Sequence, residues 1–149
     1  MGRVSDARQL ARARRAARRL LVQALYQLQI GAQPWQDIHL QYAADPESAG
    51  ADFDYFRELL MRIAVEREAL DALLGGFSDI PPPRLDPIEH GILWMALDEL
   101  RARPDVPFRV VINEAVELAK RFGATDGHKF VNGVLDRAAS ALRPDECRA

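Results

Sequence analysis

Cysteine is nearly absent from this chain: its 149 residues hold one, Cys147, which excludes an intramolecular disulfide and a cysteine-rich zinc site. A reducing cytoplasm suits such a sequence. No run approaches the roughly 18 consecutive apolar residues of a spanning helix, because Gln23, Gln27 and Gln29 interrupt the stretch from Leu20 to Ile30. The same interruption, with no small-residue cleavage pattern after it, argues against a secretory signal, although an arginine-rich, acid-poor start also resembles a transit peptide. Glycine and proline, nine of each, are too few for a collagenous or low-complexity chain. Strand-length runs of alternating polarity and repeats of fixed period are missing as well.

The signatures of catalysis are equally sparse. There is no glycine-rich phosphate loop, no nucleophile elbow and no HExxH pair. His39, His90 and His128 fall in three different predicted segments, so a three-histidine metal site is not expected. Glu114 and Glu117 share a helix face only loosely, as solvated carboxylates do far more often than an acid–base pair. The chain reads as a binding protein rather than an enzyme, with no metal and no cofactor.

What is present is a foldable, helical pattern. With 48% hydrophobic and 28% charged residues, the chain can bury a core, and its length fits one domain. Charge is unevenly spread: residues 1–19 carry seven arginines against Asp6, a balance of +6 that leaves −8 on the remainder. A basic start on an acidic body suits a polyanion, an acidic protein or an anionic membrane surface.

Apolar residues recur at steps of three and four throughout, predicting an all-α fold of about six to seven helices. The first runs from Ser5 or Asp6 to Ile30, with Gly31 as a left-handed stop and Leu10, Ala13, Ala17, Leu20, Leu21, Ala24 and Leu28 as its stripe. A short helix follows over about 34–44. Asp52 or Asp54 then opens one long helix that ends at Gly75-Gly76. The stretch from Ser78 to Arg84, with Pro81-Pro82-Pro83, reads as a stiff connector between two small bundles. Asp86-Pro87-Ile88-Glu89 is a strong helix start whose helix ends near Arg103. Two more cover about Phe108–Arg121 and Thr125 or Asp126 to Leu142.

At about 100° per residue, Arg8, Arg12, Arg15 and Arg19 lie within about 60° of one another, and Tyr26 falls on the same face. Guanidinium groups take phosphate oxygens in pairs and stack on bases, and a tyrosine ring adds a platform, so this face suits single-stranded nucleic acid. A solvated helix face, or one docked on an acidic protein or a membrane, would carry the same residues. The second candidate is Thr125-Asp126-Gly127-His128-Lys129-Phe130, at a helix start where free N–H groups favour an anion. There Lys129 adds charge and Phe130 either stacks on a base or continues the apolar spacing of Val134 and Ala138.

Four strings then carry a family resemblance: Arg14-Arg15-Ala16-Ala17-Arg18 with Val22-Gln23-Ala24-Leu25-Tyr26; Phe56-Arg57-Glu58-Leu59-Leu60; the run from Val111 to Gly123, VINEAVELAKRFG; and HKFVNGVLD from His128 to Asp136. In order and spacing, from about Arg12 to Ala139, they resemble the NusB family of bacterial transcription antitermination factors. The resemblance implies two helical bundles packed as one globular domain, no enzymatic activity, and binding of boxA-type single-stranded RNA in ribosomal RNA leader transcripts. It also implies a heterodimer with NusE, a small ribosomal subunit protein, acting on elongating RNA polymerase with other Nus factors. On this likeness the RNA side comprises Arg14, Arg15 and Arg18 of the arginine motif with Asp126, Lys129 and Phe130 of the turn; Arg12 joins them as an RNA-binding candidate from the basic stripe. Tyr26 and Glu89 match the partner side, the Glu89 carboxylate either capping the Asp86 N–H or reaching outward. Family members occur as monomers and as dimers, and a homodimer of this chain would bury the arginine stripe. Residues 1–10 are then expected as a flexible basic arm, 11–142 as the RNA-binding domain with subassemblies over about 11–77 and 84–142, and 143–149 as a tail. A related module begins a family of ribosomal RNA cytosine methyltransferases, but no GxGxG segment or catalytic cysteine motif follows here.

Overall fold

The structure, a computed structural model, describes residues 3–148. Among these are eight α-helices and no strand: α1 (Arg3–Ile30), α2 (Trp35–Ala43), α3 (Phe53–Val65), α4 (Arg67–Gly75), α5 (Pro87–Ala102), α6 (Phe108–Phe122), α7 (Gly127–Leu142) and α8 (Pro144–Arg148). Two 3₁₀ turns, Pro46–Ser48 and Pro82–Arg84, lie in the connections. The expected all-α class holds, with more helices than the periodicity resolves.

Several boundaries differ from the sequence reading, each for a physical reason. Residues 3–10, expected as a flexible arm, continue α1; alanine, arginine, glutamine and leucine favour helix and no breaker intervenes. The single long helix is two, parted at Glu66 (φ −108°, ψ 23°). Ile63 and Leu70, buried on either side, are seven residues apart and stay in phase, so periodicity does not register the break. The stretch expected as a tail forms α8. Gly31 is not left-handed, and Gly76 keeps ordinary helical angles; positive φ occurs at Gly50 (85°) and Asp126 (65°) among the described residues.

The chain forms two compact units that meet in sequence at Ala64 and Val65. The proline-rich connector, expected to divide the bundles, lies inside the second unit, where its 3₁₀ turn packs on α4. In the first unit α1 packs on α2. Asp52 caps α3, accepting from Tyr55 N–H at 3.1 Å, while its own N–H donates to the Ala13 carbonyl at 2.9 Å. Tyr42 meets Phe56 at 5.4 Å, joining α2 to α3, and Phe53 stacks on Phe56 at 4.9 Å within α3.

The second unit is built around α5, in which every residue from Glu89 to Leu100 is buried. A helix covered on all sides needs neighbours on all sides, and α4, α6 and α7 supply them. Asp86 starts it by accepting from the N–H groups of Ile88 and Glu89 at 2.9 and 3.2 Å. Its last carbonyls are met by Arg143 from the end of α7. That guanidinium donates to Glu99, Leu100, Arg103 and Val106 oxygens at 2.7 to 3.1 Å and to Glu146 at 2.6 Å. Buried polar side chains on α5 are matched too: Asp71 on α4 accepts from Trp94 Nε1 at 2.7 Å and lies 2.6 Å from His90 Nε2.

Candidate nucleic-acid interface

The arginine motif divides by facing. Arg8, Arg12 and Arg15 are exposed and Arg19 is half-buried, with Tyr26 43% exposed further along α1. Arg14 is half-buried, its guanidinium 4.6 Å from the Tyr55 ring centre and its Nε 3.7 Å from Asp52. Arg18 is only 3% exposed and lies 5.6 Å over the same ring. Of the four arginines expected on the RNA side, Arg12 and Arg15 therefore offer surface to a phosphate. Arg14 and Arg18 are directed toward α3, where cation–π attraction and the packing of their methylene stems hold them.

That division is readable on a helical wheel. Arg14 and Arg18 fall within about 60° of Leu21 and Leu25, both buried, whereas Arg12 and Arg15 lie farther round the helix. Leu25 and Val22, absent from the stripe expected for this helix, belong to its buried face, while Leu20 is only half-buried. Tyr55, which receives both guanidiniums, is invisible to sequence reasoning because no local pattern connects residues 14 and 55.

The second candidate lies in the turn between α6 and α7. Gly123 ends α6 in extended backbone (φ −86°, ψ −179°), and Asp126 takes left-handed angles without making a side-chain cap. Gly127 N–H donates to the Ala124 carbonyl at 3.0 Å and Lys129 N–H to the Asp126 carbonyl at 3.1 Å. Asp126 and Lys129 are exposed, their side chains 3.4 Å apart, and such a pair adds little stability. Both charges stay available to a ligand. Phe130 is half-buried, so part of its ring packs and part faces solvent. Asp126 makes no side-chain cap on α7; its carboxylate lies beside Lys129 instead.

Glu89 departs most sharply from the sequence expectation. It is 7% exposed, and it neither caps Asp86 nor reaches outward. Its Oε2 accepts from Ala124 N–H at 3.1 Å, across from α5 to the α6–α7 turn. A burying turn 35 residues away outcompetes the local capping box.

The histidines stand apart. His39 lies between Trp35 and Phe53, at 6.4 and 5.0 Å; burial first, then the Arg57 charge, hold its imidazole below the ordinary range. His90 belongs to the Asp71 cluster, and His128 is half-buried at the start of α7. Among the described residues no three histidine, cysteine or carboxylate side chains are grouped to hold a metal, and no helix is long and apolar enough to cross a membrane.

Comparison with known proteins places these features in a family. The family described as NusB family matches residues 15–140. The transcription antitermination protein NusB of Idiomarina loihiensis is 48% identical over 132 residues, covering 89% of this chain and 95% of that protein. The protein of the same description from Pseudomonas entomophila is 47% identical over 136 residues, covering 91% and 82%. A solved structure of T. maritima NusB superposes with a TM-score of 0.78 at 27% identity, over 91% of this chain and 97% of that one.

Proposed function

The chain belongs to the NusB family, and we propose that, as a transcription antitermination factor, it binds boxA-type single-stranded RNA of ribosomal RNA leader transcripts together with NusE. The outward basic face of α1 carries this reading: Arg12 and Arg15 exposed, with Arg8 and Arg19 beside them, on a chain otherwise acidic. Phosphates are drawn to that face, and Lys129 with Phe130 supplies a charge and a ring for an unstacked base. Tyr26 is the partner-facing residue of α1. The factor works in the cytoplasm as an adaptor, without catalysis, loading onto elongating RNA polymerase with other Nus factors. A homodimer, by covering the arginine face, would compete with RNA.

Titration of the chain with a boxA-like RNA and a scrambled RNA of equal length, over a range of salt and with or without NusE, tests the reading. The expected result is preference for boxA, affinity that falls with salt, and tighter binding when NusE is present. Retention by an acidic protein or by anionic vesicles, with no RNA preference, would overturn it.

A further inference from the structure

We propose that Glu89 is a positioning residue: its buried carboxylate shapes the α6–α7 turn so that Asp126, Lys129 and Phe130 are presented to RNA. This rests on the RNA reading above and assigns Glu89 a part in it that direct contact does not explain.

Three features converge on the carboxylate. First, it accepts the Ala124 N–H at 3.1 Å, fixing the residue that follows the extended Gly123. Second, two glycines leave it room. A Cβ on Gly127 would lie 2.7 Å from Glu89 Cδ and 3.0 Å from Oε1, and one on Gly123 would lie 3.2 Å from Oε2. These are separations at which one group must move. Third, α7 begins at Gly127 with no side-chain cap from Asp126. A carboxylate against that first residue places negative charge at the positive end of the helix dipole. Asp126 holds left-handed angles at φ 65°, a conformation that residues with a side chain rarely adopt, and the surrounding turn must hold it there. Glu89 is the only acidic side chain that the described hydrogen bonds carry into that turn. Lys129 and Phe130 follow within the first turn of α7, so a shift in Gly127 moves both.

The test uses the full chain with Glu89→Ala, Glu89→Gln, Gly127→Ala, Phe130→Ala and the doubles Glu89→Ala/Phe130→Ala and Glu89→Ala/Gly127→Ala, each checked for folding by circular dichroism and melting. Glu89→Ala is expected to lower boxA affinity by about five- to 150-fold, the range for losing one stacked base, and to lower the slope of log affinity against log salt by up to about 0.7 as Lys129 is displaced from a phosphate. Glu89→Gln, which keeps an acceptor of the same shape, should restore most of that affinity. The Phe130 double should lose little more than Glu89→Ala alone, because the base interaction is already gone once the turn has shifted. Gly127→Ala should weaken binding in the wild-type background and do so less once Glu89 is alanine.

Full boxA affinity in a folded Glu89→Ala chain, or losses that simply add with Phe130→Ala, overturns the proposal. If Glu89→Ala fails to fold, Glu89→Gln against Gly127→Ala decides it, the former keeping affinity and the latter losing it. Should the wild-type chain bind no boxA RNA, the RNA reading fails by itself. Amide exchange then still judges the positioning role: faster exchange at Ala124 and Lys129 in Glu89→Ala than in Glu89→Gln supports it, and unchanged exchange removes it.

Discussion

A guanidinium that lies over a buried ring and one that faces water respond differently to truncation. Arg18→Ala removes the cation from Tyr55 and leaves unfilled space beside a side chain that is itself buried. A loss of about 1–2 kcal/mol of stability follows, read as a lower urea midpoint, with the salt slope of RNA binding unchanged. The Arg12→Ala/Arg15→Ala double should do the reverse. Exposed positions away from the core change stability by about 0.5 kcal/mol or less, while removing one arginine–phosphate interaction lowers the slope of log affinity against log salt by about 0.7 for single-stranded RNA. A salt slope that moves with Arg18 and not with Arg12 and Arg15 would reverse the assignment. The sequence permits this division, since Arg14 and Arg18 share the wheel position of Leu21 and Leu25. It does not supply the reason, because Tyr55 reaches the arginines only through the tertiary packing of α3. Glu89 shows the same limit: Asp86-Pro87-Ile88-Glu89 marks the helix start correctly, and the carboxylate goes to a turn that no local pattern ties to it.

At the scale of elements, the exposed need is at the end of α5. The last four carbonyls of any helix lack intrahelical partners, and here two of them belong to Glu99 and Leu100, both buried. Arg143 directs Nε, both hydrogens of Nη1 and both of Nη2 to acceptors, four of them carbonyls at or beyond the end of α5. Lysine offers three donors from a single point and cannot fork in this way. Arg143→Lys and Arg143→Ala should therefore both destabilise the chain, the alanine variant by about 2–4 kcal/mol, measured by urea denaturation. Glu146 on α8 completes the arrangement, accepting from Phe108 N–H at 2.7 Å and from Arg143 at 2.6 Å. The Phe108 amide first, then Arg143, hold its carboxyl below the ordinary glutamate range. A depressed pKa means that the interaction stabilises the fold at pH values above the unfolded glutamate value, about 4.3, and is lost as pH falls through the lower folded one. The amides of α8 and Phe108 should thus lose exchange protection on acidification below about pH 4, and Glu146→Gln should flatten that dependence; protection that rises on acidification would contradict it. Caps at Asp52 and Asp86 make helix starts legible in the sequence. The stop at Arg143 is not, because an arginine before a proline carries no signal of four carbonyls gathered from residues 99–106.

For the whole molecule, charge placement governs how two ligands can act together. Arginines are concentrated in the first 19 residues while the rest carries −8, so on the proposed function RNA would be attracted to one helix and repelled by an otherwise acidic chain. A short basic face and one half-buried ring offer RNA a limited footprint, and single-stranded RNA must be ordered when it binds, so RNA affinity of the chain alone should be modest. On the proposed function, NusE would extend the RNA surface and add interactions without repeating that ordering cost. Linkage then requires that boxA tighten NusE binding by the same factor by which NusE tightens boxA binding, within the roughly 5- to 150-fold typical of such couplings, that is, roughly 1–3 kcal/mol. Calorimetric titrations in both orders measure the two factors independently. Tyr26, 43% exposed on α1, decides which side it serves. Tyr26→Ala should weaken NusE binding and leave boxA binding by the isolated chain intact, whereas a tyrosine that stacks on a base would lower boxA affinity without any partner present. Equal boxA affinity with and without NusE would defeat the adaptor mechanism, since a partner that leaves RNA affinity unchanged has no differential interaction through which to act.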